Sequence, residues 1–297
     1  MKQTVSQQIK KKLEWLGHCF FYTVLVLGGQ RAAYCFLYPV IFTYVLCGRK
    51  IHRATAPYFR RRFPSHNRLA LRLDVFKNVL SFGKVLVDRG WMGLNPKAEL
   101  SGRFADSEKL RAVIREGRGV VVLLAHVGNW QTCLVRLKAL NVEVHALMEF
   151  DQERVSKHFF ELRGEKPFNI IDVHGFLGGM IEATAALQKG DMVLMMADRL
   201  HQGRSASVDF LGSRANLPIA AYHLAATAGS PVVVLFAAKT GRKNYSLAIW
   251  DIFYPGRSGR EKREEFVHCA QRFSSALEKY VEQYPYQWYN FFDIWAQ

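Results

Sequence analysis

The segment His126-Val127-Gly128-Asn129-Trp130-Gln131 directly follows the apolar run Gly119 to Ala125 (GVVVLLA). A β-branched run of that length reads as a buried strand, and the polar residues after it open a stretch with helical periodicity. In α/β sheets, groups that handle ligands collect beyond the carboxyl ends of strands. An imidazole held there suits a general base, with Gly128 letting another backbone come close and helix amides lying beside a developing oxyanion. His126 would equally suit a plain helix cap, and residue type alone leaves both readings open. The other nine histidines occupy no comparable junction.

A second polar pair, Asp198-Arg199, ends the apolar run Met192 to Ala197. Its ordinary alternative is a solvated basic loop with Asp198 in an ion pair. Other signatures fail: neither Gly203-Arg204-Ser205-Ala206-Ser207 nor Gly256-Arg257-Ser258-Gly259-Arg260 forms a GxSxG elbow, and there is no P-loop, GxGxxG or EF-hand loop. Five cysteines, odd in number and without CxxC spacing, support neither a disulfide framework nor a zinc site.

The elements that must position these groups follow from periodicity. Val120 to Ala125, Val142 to Leu147, Phe168 to Val173, Met192 to Ala197 and Pro231 to Ala238 read as strands. Asp106 to Glu116, Asn129 to Leu140, Gln152 to Gly164, Gly179 to Lys189 and Pro218 to Gly229 read as helices between them. This alternation predicts an α/β fold with a central, mostly parallel sheet flanked by helices. Glu261 to Tyr284 reads as a last helix, and the aromatic tail Trp288 to Trp295 is expected to fold back onto the body. Ile51 to Val87, with Leu69, Leu73, Phe76, Leu80 and Val87 at spacings of three, four or seven, reads as a helical connector.

The chain's 297 residues carry 41 Lys and Arg against 25 Asp and Glu, a net charge of +16. Within residues 1–68, twelve cations meet one acid, Glu14, so +11 of the excess lies there. The same segment contains the apolar runs Cys19 to Leu27 and Ala32 to Cys47, separated by Gly28, Gly29, Gln30 and Arg31. Each run is shorter than the roughly 20 residues of a spanning helix. We expect residues 1–68 to form a basic, helical, membrane-associated segment that dips into or lies on the bilayer, and residues 69–297 to form the catalytic body with its connector. The basic flanks should face the cytoplasm and meet anionic lipid. A signal peptide shares the pattern of Lys10 to Lys12 before an apolar run, but no small-x-small site closes it, and a buried hairpin of a soluble domain is the other alternative. Nucleic-acid binding is excluded, because the cations concentrate beside apolar runs and no RNP-like motif occurs.

The chain resembles the bacterial lipid A late acyltransferases, within the broader glycerolipid acyltransferase group. The resemblance rests on an ordered set: His126-Val127-Gly128-Asn129-Trp130, Gly190-Asp191-Met192-Val193-Leu194, Ala197-Asp198-Arg199, Val208 to Ala215 before Leu217-Pro218, Gly229 to Val233, and Pro285-Tyr286-Gln287-Trp288. It implies an inner-membrane enzyme that moves an acyl chain from an acyl carrier protein or CoA thioester to a hydroxyl of a membrane lipid. The thioester is a co-substrate, and no metal or other cofactor is implied. His126 matches the family's general base, with Gly128, Asn129 and Trp130 around the substrates. Similarity also suggests that Arg199, with Arg204 and Arg214, binds a phosphate, and Arg163 is a weaker candidate.

One departure stands out. The family's orienting acid comes five residues after the histidine, where this chain has Gln131. Three arrangements are compatible with that: the glutamine suffices, another acid such as Glu149 or Asp198 reaches the site, or the chain is an impaired relative that binds lipid or carrier. The ending Asn290-Phe291-Phe292-Asp293-Ile294-Trp295, together with His126 to Gln131, is similar to acyltransferases associated with aryl polyene lipids, implying an aryl polyene or another unusual acyl chain.

Overall fold

The computed structural model describes residues 5–95, 101–131, 137, 140–149, 168–200, 203–256 and 262–296. Its strands are β1 (Ser101–Phe104), β2 (Val120–Leu124), β3 (Val144–Met148), β4 (Asn169–Asp172), β5 (Met192–Met196), β6 (Ser205–Phe210), β7 (Ser213–Pro218), β8 (Val232–Lys239) and β9 (Asn244–Phe253). Seven of them form one sheet in the order β1-β9-β8-β2-β5-β3-β4. The run from β8 to β4 is parallel throughout, as the sequence predicts, while β9 runs antiparallel to β8 and β1 follows β9. β6 and β7 make a separate antiparallel hairpin.

The central strand β2 is buried on both faces, which is why it reads as an unbroken apolar run rather than an alternating one. Val121 and Leu123 join a core completed by α5 (Met180–Gln188), α6 (Ala220–Ala228) and α7 (Lys262–Gln283). Val120, Val122 and Leu124 join the opposite core, beneath α4 (Ser107–Ile114). Gln152 to Gly164 and Arg163 lie outside the described residues.

Sequence periodicity missed β1, β6, β7 and β9. β6 alternates buried and exposed positions with serines on its wet side, a pattern weaker than an apolar run. Pro218 ends β7 rather than starting a helix, because α6 begins only at Ala220. The expected connector divides into α2 (Arg49–Arg62) and α3 (Arg68–Leu94) around Pro64, and the Asn67 side chain caps α3 by accepting from the Ala70 amide.

The first helical segment, α1 (Val5–Cys47), turns back on itself. Gly29 has φ 68°, ψ −171°, a conformation open to glycine, and interrupts the helix there. Phe20 and Phe36, which a straight helix would hold roughly 24 Å apart, have ring centroids 5.4 Å apart. The two apolar runs are therefore the arms of a helical hairpin. Ala33, Leu37, Ile41 and Val45 bury one stripe of its second arm, and the hairpin packs chiefly on α3. Residues Leu16–Cys47 are long and apolar enough to cross a membrane by length and composition, yet the hairpin leaves most of that surface unburied.

α3 docks through polar groups as well as apolar ones. Asp74, Asn78 and Asp88 are buried. Asp74 accepts from the Tyr286 hydroxyl, Asn78 donates to the Trp288 carbonyl at 2.9 Å, and Ser81 pairs with Tyr289 at 3.0 Å. Leu69 and Leu73, two members of the apolar spacing in the sequence, are instead exposed. The helix thus presents Asp74, Asn78 and Ser81 to the C-terminal tail, where Asn78 supplies the donor that backbone carbonyls need.

Candidate active site

β2 and β5 are neighbours in parallel register, with Leu124 beside Met196. The Ala197 amide donates to the Leu124 carbonyl at 3.0 Å, which carries the pairing to the last residue before the turn. The next residues, His126 and Asp198, are therefore brought face to face. Asp198 is fully buried, and its two oxygens divide their partners. Oδ1 lies 2.8 Å from His126 Nδ1; Oδ2 accepts from the His126 backbone N–H at 3.0 Å and from the Trp288 indole N–H at 2.9 Å. The His126 side chain keeps 30% of its surface exposed. A carboxylate that fixes one ring nitrogen while the ring stays reachable is the arrangement a general base needs.

Burial by itself raises the Asp198 carboxyl pKa. The His126 imidazole, the Arg199 charge and the Trp288 hydrogen bond outweigh it and hold the group well below the usual carboxylate range. A folded value below the unfolded one contributes stability above the unfolded value, about 3.9, and loses it as pH falls through that range. Between about pH 6 and pH 3 the wild type should lose more stability than Asp198→Asn, as measured by thermal melting in detergent.

The aromatic tail closes the site from the other side. Val127 pairs with Trp288 in an antiparallel bridge, the Tyr289 amide donates to the His126 carbonyl at 2.7 Å, and the Gly128 amide donates to the Gln287 carbonyl at 3.0 Å. The Gln287 side chain in turn accepts from the Lys239 amide and donates to the Lys239 carbonyl at the end of β8. Gly128 has φ 49°, and a Cβ there would lie 2.0 Å from the Ala237 carbonyl oxygen. Its role in this structure is close packing on β8. The amides of His126, Val127 and Gly128 all donate within the protein.

The remaining sequence-predicted residues separate. Asn129 is buried, and its Oδ1 lies 3.4 Å from Arg89 Nε of α3. Trp130 packs against the core beneath α4. Gln131 is 2% exposed and its Oε1 has no hydrogen-bond partner among the described residues, whereas the imidazole nitrogen is held by Asp198. Glu149 is half exposed and faces His174 at 3.6 Å. Arg199 donates to the Asn290 side chain at 2.8 Å and to the Tyr289 carbonyl at 2.9 Å, so much of its fork ties down the tail. Arg204 is exposed, and Arg214 reaches Ser207 and Asp209 on its own hairpin. Trp288 and Arg89 are contacts that single-residue reasoning missed. The signal for the latter was an Asp88-Arg89 pair following the apolar run Val85 to Val87.

A family model for bacterial lipid A biosynthesis acyltransferases matches residues 8–297. The chain belongs to this family. It is an acyltransferase that acts on lipids. Among solved structures, the acyltransferase is similar to the 1-acyl-sn-glycerophosphate (LPA) acyltransferase PlsC from Thermotoga maritima. The identity is 13%, the match covers 84% of this chain and 97% of that one, and the TM-score is 0.36. A search of curated proteins finds no match.

In the acyltransferase, Gln131→Glu will not raise turnover, because Asp198 already occupies the imidazole's partner position. It will lower the melting temperature, since a carboxylate costs more to bury at this place than the amide it replaces. A rise in turnover would assign the orienting role to position 131.

Proposed function

We propose that the enzyme transfers an acyl chain from an acyl carrier protein or CoA thioester to a hydroxyl of a membrane lipid, with His126 as general base and Asp198 as its orienting acid. The His126–Asp198 pair, anchored by Trp288, carries this reading. His126 Nε2 takes the proton of the acceptor hydroxyl as its oxygen attacks the thioester carbonyl carbon. The tetrahedral intermediate collapses with cleavage of the C–S bond, and the imidazolium returns its proton to the leaving thiolate. Asp198 keeps Nδ1 protonated and balances the imidazolium charge. The acyl chain is a fatty chain or, following the similarity of residues 290–295, an aryl polyene.

The enzyme acts at the cytoplasmic face of the inner membrane. The Gly29 reversal returns both arms of α1 to one side, which supports a hairpin dipping into the bilayer over a single span. Arg49, Lys50, Arg53 and Arg60 on α2 are exposed, as are Arg68 and Arg72 beside Leu69 and Leu73 on α3. This mixed basic and apolar surface fits anionic lipid.

The test is transfer of a labelled acyl chain from carrier protein or CoA to inner-membrane lipids by purified enzyme. The expected result is a new acyl ester on one lipid class, formed by the wild type and lost in His126→Ala. Lipid binding without transfer, unchanged in His126→Ala, overturns the reading in favour of a non-catalytic lipid- or carrier-binding protein.

A further inference from the structure

We infer that the Val173–Ile181 turn is a second membrane-contacting element, which inserts Phe176 and Leu177 into the bilayer beside the active site. The turn follows β4 at the carboxyl edge of the sheet and carries four exposed apolar side chains within nine residues: Phe176 at 78%, Leu177 at 66%, Ile181 at 53% and Val173 at 36%. It is a built turn. The His174 amide donates to the Asp172 side chain, the Gly175 amide to the Asp172 carbonyl and the Gly178 amide to the Gly175 carbonyl, each at 3.0 Å. Leu177 sits at φ 49°, a left-handed conformation that costs a side-chain-bearing residue stability. The fold therefore holds two large apolar residues out in solvent, Leu177 in a conformation that local preference opposes, and keeps both out of its buried core.

Topology says what covers them. β8, β2, β5, β3 and β4 are adjacent and parallel, so their carboxyl ends share one edge. His126 and Asp198 leave that edge from its middle strands. The bend of the hairpin reaches the same edge at the β8 side, where Gln30 donates to the Arg242 carbonyl just after β8. The Phe176 turn lies at the β4 side, about four strand spacings or 19 Å from β8. The active site thus lies between two exposed apolar elements, the position in which a lipid acceptor would reach His126 without leaving the bilayer. Glu149, Asp172 and Glu182 around the turn are acidic, so insertion is apolar rather than electrostatic, unlike that of the basic α2. This inference rests on the proposed membrane attachment of the hairpin.

Flotation with phosphatidylcholine–phosphatidylglycerol vesicles tests it on the full chain diluted from detergent. Phe176→Asp/Leu177→Asp should lower the partition coefficient at least about tenfold, with melting in detergent and transfer to micellar acceptor unchanged. Val26→Asp/Leu27→Asp, on exposed positions of the hairpin, should also lower it. If the wild type and loop variant float equally while the hairpin variant does not, the loop inference fails and hairpin attachment stands. If the wild type does not float, both fail. A loop variant that changes only the oligomeric state in detergent assigns the turn to a second copy and overturns the inference. Phe176→Trp gives an independent readout: brominated lipid should quench its added fluorescence, and no extra quenching over the wild type overturns the insertion even if the aspartate variant misfolds.

Discussion

Asp198→Asn will lower turnover by about 10⁴ while leaving the fold and substrate binding close to wild type. The reason lies in how the two carboxylate oxygens are used. Oδ2 accepts two N–H groups, the His126 amide and the Trp288 indole, so in the variant the amide oxygen must stay there and the amide nitrogen must face His126 Nδ1. An amide nitrogen donates. Nδ1 then has to accept, which moves the ring proton to Nε2, the nitrogen that should receive the acceptor's proton. The amide also carries no charge to balance the imidazolium. His126→Ala removes the base itself and should fall to a similar level, and the double variant should be no slower than the worse single one, because the two residues act as a unit. Single-turnover transfer from a labelled thioester measures this. An Asp198→Asn enzyme within tenfold of wild type would remove Asp198 from the mechanism.

Asp88→Ala will destabilise the protein by about 3–5 kcal/mol, the cost of leaving a buried charge without its partner. Asp88 is fully buried on α3 and accepts from Lys239 of β8, Tyr245 of β9 and Tyr34 and Gln30 of the hairpin. Burial pulls the Lys239 amine's pKa down, and the Asp88 carboxylate opposes that fall. Without it, a largely buried ammonium and two phenols lose the one charged acceptor they share. Chemical denaturation in detergent reads the loss. Limited proteolysis should also cut the hairpin away from the body, because this cluster joins α1, α3 and the sheet. Asp88→Asn, which keeps the shape and part of the hydrogen bonding, should fall between the two. Equal stability of Asp88→Ala and wild type would show that the hairpin is held by apolar packing alone.

The parallel strands β2, β5 and β8 were legible because a strand buried on both faces must be apolar along its length, and the residues from Val120 to Ala125 are. β6 and β9 were not, because their polar positions face solvent and their pairing supplies what the pattern lacks. The Gly28-Gly29 break marked where α1 is interrupted. Whether the arms diverge or fold together depended on the backbone angles at Gly29 and on α3 offering both arms one surface.

The sequence by itself determined the type of chemistry at the centre of the fold: a histidine after a buried strand, basic apolar flanks at the amino end, and an ordered set of segments resembling one enzyme family. Only the tertiary structure decided which carboxylate lies against that histidine. The family resemblance pointed to position 131, five residues on, where a glutamine stands. The register of β2 against β5 instead brings Asp198 to the ring from 72 positions away. Strand pairing joins residues by their place in the sheet rather than their place in the chain, so a carboxylate can be next to the imidazole and far from it in sequence.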